Sequence, residues 1–102
     1  MSTVAPLYVV IFKARIKTLD AEYAATAQRM REKAFADYGC VDFVALSEGD
    51  QEIALSYWKS LDDIARWKND PEHRRAQQLG REKWYQEFQV EIASVQRSYP
   101  AQ

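Results

Sequence analysis

Three segments of this chain are apolar on both of their alternating faces, and a strand of that kind has to be covered on both sides. In Leu7 to Ile16, Leu7, Val9 and Ile11 occupy one parity and Tyr8, Val10 and Phe12 the other. Cys40 to Ser47 sets Val41, Phe43 and Ala45 against Val44 and Leu46, and Gln51 to Trp58 sets Ile53, Leu55 and Tyr57 against Ala54 and Trp58. The β-branched and aromatic content of these segments favours strands. A fourth, Phe88 to Tyr99, alternates Phe88, Val90 and Ile92 with Gln89 and Glu91 until Pro100 closes it.

The helices are marked by their caps. Asp20 is placed to cap a helix on which Tyr23, Ala27, Met30 and Ala34 repeat at helical spacing, with Gln28, Arg29, Glu32 and Lys33 outside and Gly39 at its end. Glu48-Gly49-Asp50 supplies a tight turn. Ser60, with Asp63 three residues on, predicts a short helix from about Leu61. Asp70-Pro71 predicts a second, running to about Trp84. The order strand, helix, strand, strand, helical arm, strand is that of an α+β, ferredoxin-like βαββαβ domain, expected as one unit over residues 1–102 with its core at about 7–99. Two right-handed crossovers place both helices on one face of a four-stranded antiparallel sheet. The other face is left bare, which predicts a homodimer closed sheet to sheet.

Composition removes several classes of function. A net charge of −1 gives no footprint for nucleic acid or an anionic membrane. Cys40 is alone, no leader pattern opens the chain and no apolar run approaches a membrane span, so a cytoplasmic protein is expected. One histidine and one cysteine make a poor transition-metal set, and Gly39, Gly49 and Gly80 are too scattered for a phosphate loop. Cys40, among apolar neighbours, reads as a core thiol rather than a nucleophile. The first strand loosely resembles that of RNA-recognition motifs. The third, Gln51-Glu52-Ile53-Ala54-Leu55-Ser56, lacks the basic start, glycine and spaced aromatics that RNA stacking needs.

The arm from Ser56 to Tyr85 holds every tryptophan and the one histidine. His73, Ala76, Gln77, Gly80 and Trp84 fall on one helical face, and Ile64 and Trp67 close the inside of the shorter helix. In the first turn of its helix His73 meets the positive end of the dipole, so a neutral imidazole able to act as base or hydrogen-bond partner is one reading; a partly exposed surface histidine is the other. Trp67 and Trp84 serve equally as core anchors or as walls of a pocket for a flat aromatic ligand.

Ser56-Tyr57-Trp58-Lys59-Ser60-Leu61, Trp67-Lys68, Pro71-Glu72-His73-Arg74, Ala76-Gln77, Leu79-Gly80-Arg81 and Trp84-Tyr85 together resemble the antibiotic biosynthesis monooxygenase family of dimeric α/β barrels. The resemblance implies a ferredoxin-like protomer, a dimer whose sheets meet, and a pocket between sheet and helices. It further implies oxygenation of phenols or hydroquinones to quinones by dioxygen with no cofactor and no metal, the substrate supplying the electrons. Trp67 matches the pocket tryptophan of similar enzymes. Trp67 and His73 are the expected catalytic pair, with Phe12, Gln77 and Trp84 as substrate contacts. The phenol oxygenases carry an asparagine and a tyrosine near the places of Asp63 and His73. In haem-degrading relatives the iron ligand falls at the place of Gln77 and an asparagine stands on the first strand, so haem degradation is disfavoured. A non-catalytic small-molecule-binding dimer is the alternative.

Overall fold

The computed structural model describes residues 7–101. Its elements are β1 (Leu7–Ile16), α1 (Ala21–Tyr38), β2 (Asp42–Glu48), β3 (Gln51–Trp58), α2 (Leu61–Lys68), α3 (Pro71–Leu79) and β4 (Tyr85–Val95). The four strands form one antiparallel sheet in the order β2-β3-β1-β4, the ferredoxin-like α+β arrangement.

The caps act as their chemistry requires. Asp20 accepts the Tyr23 N–H at 2.9 Å and opens α1. Gly39 ends it at φ 80°, where an L side chain is strained. Ser60 Oγ accepts the Asp63 N–H at 3.0 Å, and the Asp63 carboxylate accepts from Arg66 Nη2 at 2.6 Å. Asp70 caps α3 through the Glu72 N–H at 2.8 Å, with Pro71 at the first helical position.

Asp70 also ties the arm to α1, because Tyr38 donates to its carboxylate at 2.7 Å and Lys33 Nζ pairs with it at 2.7 Å. Burial alone would raise the Asp70 pKa, yet Lys33, Tyr38 and the Glu72 N–H outweigh it and hold the carboxyl well below its ordinary range. Arg29 and Lys33 likewise keep the Glu72 carboxyl down at about 2. Exposed ion pairs add little to stability, so the sheltered Asp70 knot is the part that fixes the bend between α2 and α3.

Between helices and sheet lies a core of Val10, Met30, Ala34, Cys40, Trp58, Ile64 and Trp67. Trp58 is fully buried and its Nε1 donates to Ser56 Oγ at 2.8 Å. An indole of this kind buries about 200 Å², which at about 25 cal/mol per Å² is about 5 kcal/mol before entropy. Cys40 is buried, its thiol pushed up by that burial.

Several boundaries differ from the sequence expectation. β2 starts at Asp42, since Cys40 turns its Sγ into the core and toward the Asp42 carbonyl at 3.2 Å. The helix expected to reach Trp84 ends at Leu79 and passes into a π-helical turn, Gly80–Trp84, closed by the Tyr85 N–H on the Gly80 carbonyl. β4 therefore begins at Tyr85, and it stops at Val95, which pairs with Leu7 of β1.

The side of the sheet away from the helices carries Ile11, Val44, Leu46, Ile53, Leu55 and Tyr57, with Leu46 71% exposed. Among the described residues no helix covers it. No helix among them is long and apolar enough to cross a membrane.

Candidate active site

Between the helix-facing side of the sheet and the inner faces of α1, α2 and α3 lies a cavity of about 690 Å³, well within the range of small-molecule sites. Its floor is the even parity of β1, with Val10 and Phe12, together with Ala54 and Ser56 of β3 and Phe88 and Val90 of β4. Trp67, His73, Phe12, Gln77 and Trp84, the residues singled out from sequence, all line it.

At one end Trp67 and His73 meet edge to face, with ring centroids 4.3 Å apart. Trp67 is held on three sides. Its Nε1 donates to the Met30 carbonyl at 3.2 Å, Trp58 lies 5.0 Å from it centroid to centroid, and Phe43 stands edge-on at 6.2 Å. It is thus a core anchor and a cavity wall at once. His73 is half-buried, and its Nδ1 is a buried polar atom with no hydrogen-bond partner. Burial lowers the imidazole pKa to about 4; Asp70 pulls the other way and Lys68 adds to the fall. The ring is therefore neutral at physiological pH, from desolvation more than from the helix dipole that sequence reasoning invoked. Gln77 follows one turn later on the same wall.

The other end adds Glu52, Tyr23 and Tyr85, which are not among the site residues expected from sequence. Glu52, near the start of β3, shares the inward parity of Ala54 and Ser56 and accepts a hydrogen bond from the Tyr23 hydroxyl of α1. Tyr85 stands edge-on to Tyr23 with centroids 6.2 Å apart, and Phe12 packs on Tyr85 at 5.4 Å and on Phe88 at 5.5 Å. Burial, then Glu52, pushes the Tyr23 hydroxyl up to about 12. Burial, with Tyr23 and Glu52 beside it, raises Tyr85 still more strongly. Both phenols stay protonated at neutral pH. Trp84 belongs to this end: its Nε1 donates to Asp20 at 3.1 Å and its ring meets Tyr23 at 5.3 Å.

Tyr85 reaches the cavity through two irregularities. The β1–β4 register slips by one residue beyond Arg15, so Ile16 pairs with Tyr85 and not with Gln86, which turns Tyr85 toward the helices. A Cβ on Gly80 would stand 2.9 Å from Tyr85 Cδ2, so only glycine leaves room for that ring. Among the described residues no three His, Cys, Asp or Glu side chains gather into a potential metal site.

The model of a family described as antibiotic biosynthesis monooxygenase matches residues 7–79. An uncharacterized Bacillus subtilis protein, YqjZ, is 37% identical over 93 residues, 90% of this chain and 82% of that one. In three dimensions the chain is similar to SnoaB, a cofactor-independent oxygenase from Streptomyces nogalater, with a TM-score of 0.74 at 15% identity, covering 96% of this chain and 100% of that one. A putative antibiotic biosynthesis monooxygenase from Caulobacter crescentus gives a TM-score of 0.76 at 13% identity, covering 91% and 92% of the two chains.

Proposed function

We propose that this chain, which belongs to the antibiotic biosynthesis monooxygenase family, oxidises a phenolic or hydroquinone-type aromatic to a quinone with dioxygen and no cofactor, working as a cytoplasmic homodimer. The observation that carries the reading is the aromatic-lined cavity in which the neutral imidazole of His73 stands 4.3 Å from the Trp67 indole. A phenol laid against Trp67 with its hydroxyl toward His73 can form a hydrogen bond there and pass its proton to the imidazole as charge develops. The resulting phenolate, or its carbanion form, gives one electron to dioxygen. The radical pair recombines as a peroxide at the ring carbon, and loss of water leaves the carbonyl. The ring gives up four electrons and two hydrogens; one oxygen atom of dioxygen stays as the new carbonyl and the other leaves as water. The protein binds, deprotonates and keeps bulk water away from the peroxide.

The test is chelator-resistant dioxygen uptake with anthrones, naphthols and hydroquinones, each corrected for autoxidation. His73→Ala is expected to lower kcat by about 10²-fold or more, the scale of a lost general base. Trp67→Phe, which keeps an aromatic wall, is expected to act mainly on KM. Undiminished turnover in both variants would remove the two residues from the site. Saturable binding without product would instead favour a non-catalytic binding protein.

Support for the dimer comes from the bare sheet face, where Leu46, Ile53 and Val44 are exposed. Apolar surface of that extent on one side of a sheet needs a partner. A second copy set sheet to sheet would cover it. The expected mass in solution is twice the 11.9 kDa of the chain, and light scattering that gives a monomer at micromolar concentration would refute the arrangement.

A further inference from the structure

The two ends of the cavity differ in charge, and that difference restricts what can lie between them. The Glu52 end offers a carboxylate backed by two phenols, Tyr23 and Tyr85, which remain protonated donors. An occupant reaching this end needs a hydrogen to donate, and a negative group placed there would be repelled. The His73 end has the opposite character. Arg31 lines it with its guanidinium 4.8 Å from the Phe43 ring, and Phe43 in turn packs on Trp67. Lys68, next to Trp67 in α2, also lines the cavity and is close enough to His73 to depress its pKa. Among the described residues neither Arg31 nor Lys68 has an ion-pair partner. Glu32, the one carboxylate on this part of the lining, takes a hydrogen bond from Gln28 at 3.3 Å. On the lining itself Arg31 and Lys68 stand against Glu32 alone; Asp70, which acts on His73 more strongly than Lys68 does, lies off the lining and is paired with Lys33.

Glu52 and Ser56 lie on the same face of β3 four residues apart, about 13 Å at 3.3 Å per residue. Tyr23 and Arg31 are eight residues apart on α1, about 12 Å at 1.5 Å per residue. The two polar ends are therefore separated by roughly the length of a fused aromatic system of two or three rings. The walls between them are Phe12, Ala54, Phe88 and Val90, which hold a flat ring by contact alone.

We propose that the occupant is a flat fused aromatic with a neutral hydroxyl at one end, donated to Glu52, and an anionic group, phenolate or carboxylate, at the other, held by Arg31 and Lys68. This deepens the reading of the cavity as a reaction chamber and rests on that reading for calling the occupant a substrate. It also orients the substrate. The hydroxyl at Glu52 stays protonated as a positioning contact, and the anionic group lies toward the His73 end, where Arg31 and Lys68 line the cavity.

Binding can be measured apart from turnover. Calorimetric titration of the intact protein under anaerobic conditions would compare a naphthalene bearing hydroxyl and carboxylate at opposite ends, the same carboxylate with methoxy in place of hydroxyl, and the naphthol without carboxylate. The hydroxy acid is expected to bind about tenfold or more tightly than either comparison compound, the scale of one lost charge-assisted hydrogen bond. Arg31→Gln with Lys68→Gln should erase its advantage over the naphthol while keeping the advantage over the methoxy acid. Glu52→Gln should do the reverse. Equal affinities for the three compounds on the wild-type protein would overturn the proposal whether or not a variant folds, and so would variants that weaken all three alike. The affinity pattern without oxygen uptake would leave this inference standing and remove the oxygenase. Oxygen uptake with equal affinities would do the opposite.

Discussion

Between neutral pH and pH 5 the wild-type protein should lose about 2 kcal/mol more stability than His73→Gln, and by pH 4 about 3 kcal/mol more. The imidazole has an ordinary pKa of 6.5 and burial brings it to about 4 in the fold. Within that window the unfolded chain binds a proton that the folded chain refuses, so stability rises with pH across it. The contribution is complete above pH 6.5 and disappears as pH falls through 4. Charged groups facing His73 adjust the shift without reversing it, Asp70 favouring the protonated ring and Lys68 opposing it. The Asp70 and Glu72 carboxyls, both held below their ordinary range, lose their pairing at more acidic pH. The interval from pH 7 to 5 therefore isolates the histidine. Urea unfolding of both proteins across that interval is the measurement, and parallel curves would mean an imidazole that titrates as in a free peptide. The same refusal of a proton keeps the ring available as an acceptor at the pH where a phenol has to be deprotonated.

Local chemistry made most of this fold readable. Asp20, Ser60 and Asp70 open helices because each offers an oxygen to amide groups that have no partner within the helix, and the structure uses all three in that way. Gly39 closes α1 for the equally local reason of its positive φ. The inner face of the arm could be drawn from spacing, which is why Trp67, His73 and Gln77 were placed together. What spacing could not give was Glu52 itself. Glu52 sits within a run judged by its apolar members, and its side is decided by a ladder in which it pairs with Ala14 on one neighbour and Ser47 on the other. An acid on the parity of Ala54, Ser56 and Trp58 was the available signal. Tyr85 was hidden more deeply, because helical spacing carried the arm one turn too far. At the π-helical turn the Tyr85 ring packs against Gly80, a contact between the end of the arm and the start of β4.

That contact makes Gly80→Ala the variant expected to separate the chamber from the fold. Gly80 has φ −59° and ψ −46°, ordinary helical values, so alanine meets no backbone strain and gains about 1 kcal/mol of helical propensity. Against this, the new Cβ would stand 2.9 Å from Tyr85 Cδ2 and 3.1 Å from Cε2, both ring atoms, and overpacking of this kind costs about 1–3 kcal/mol. The two effects largely cancel, and the thermal midpoint should fall by only a few degrees. The Tyr85 ring cannot remain where it is. It has Phe12 and Phe88 on one side and Tyr23 on the other, so a displacement passes directly to the Tyr23–Glu52 hydrogen bond. Misplacing a positioning group by about 1 Å costs on the order of 10²-fold in rate. Turnover of a phenolic substrate should fall on that scale in Gly80→Ala while Trp67 and His73 keep their geometry. Gly80→Ala combined with Tyr85→Leu, which replaces the ring with a shorter side chain, should regain the thermal midpoint without regaining activity. A Gly80→Ala protein with full activity would show that Tyr85 moves without consequence and that the Glu52 end takes no part in holding the substrate.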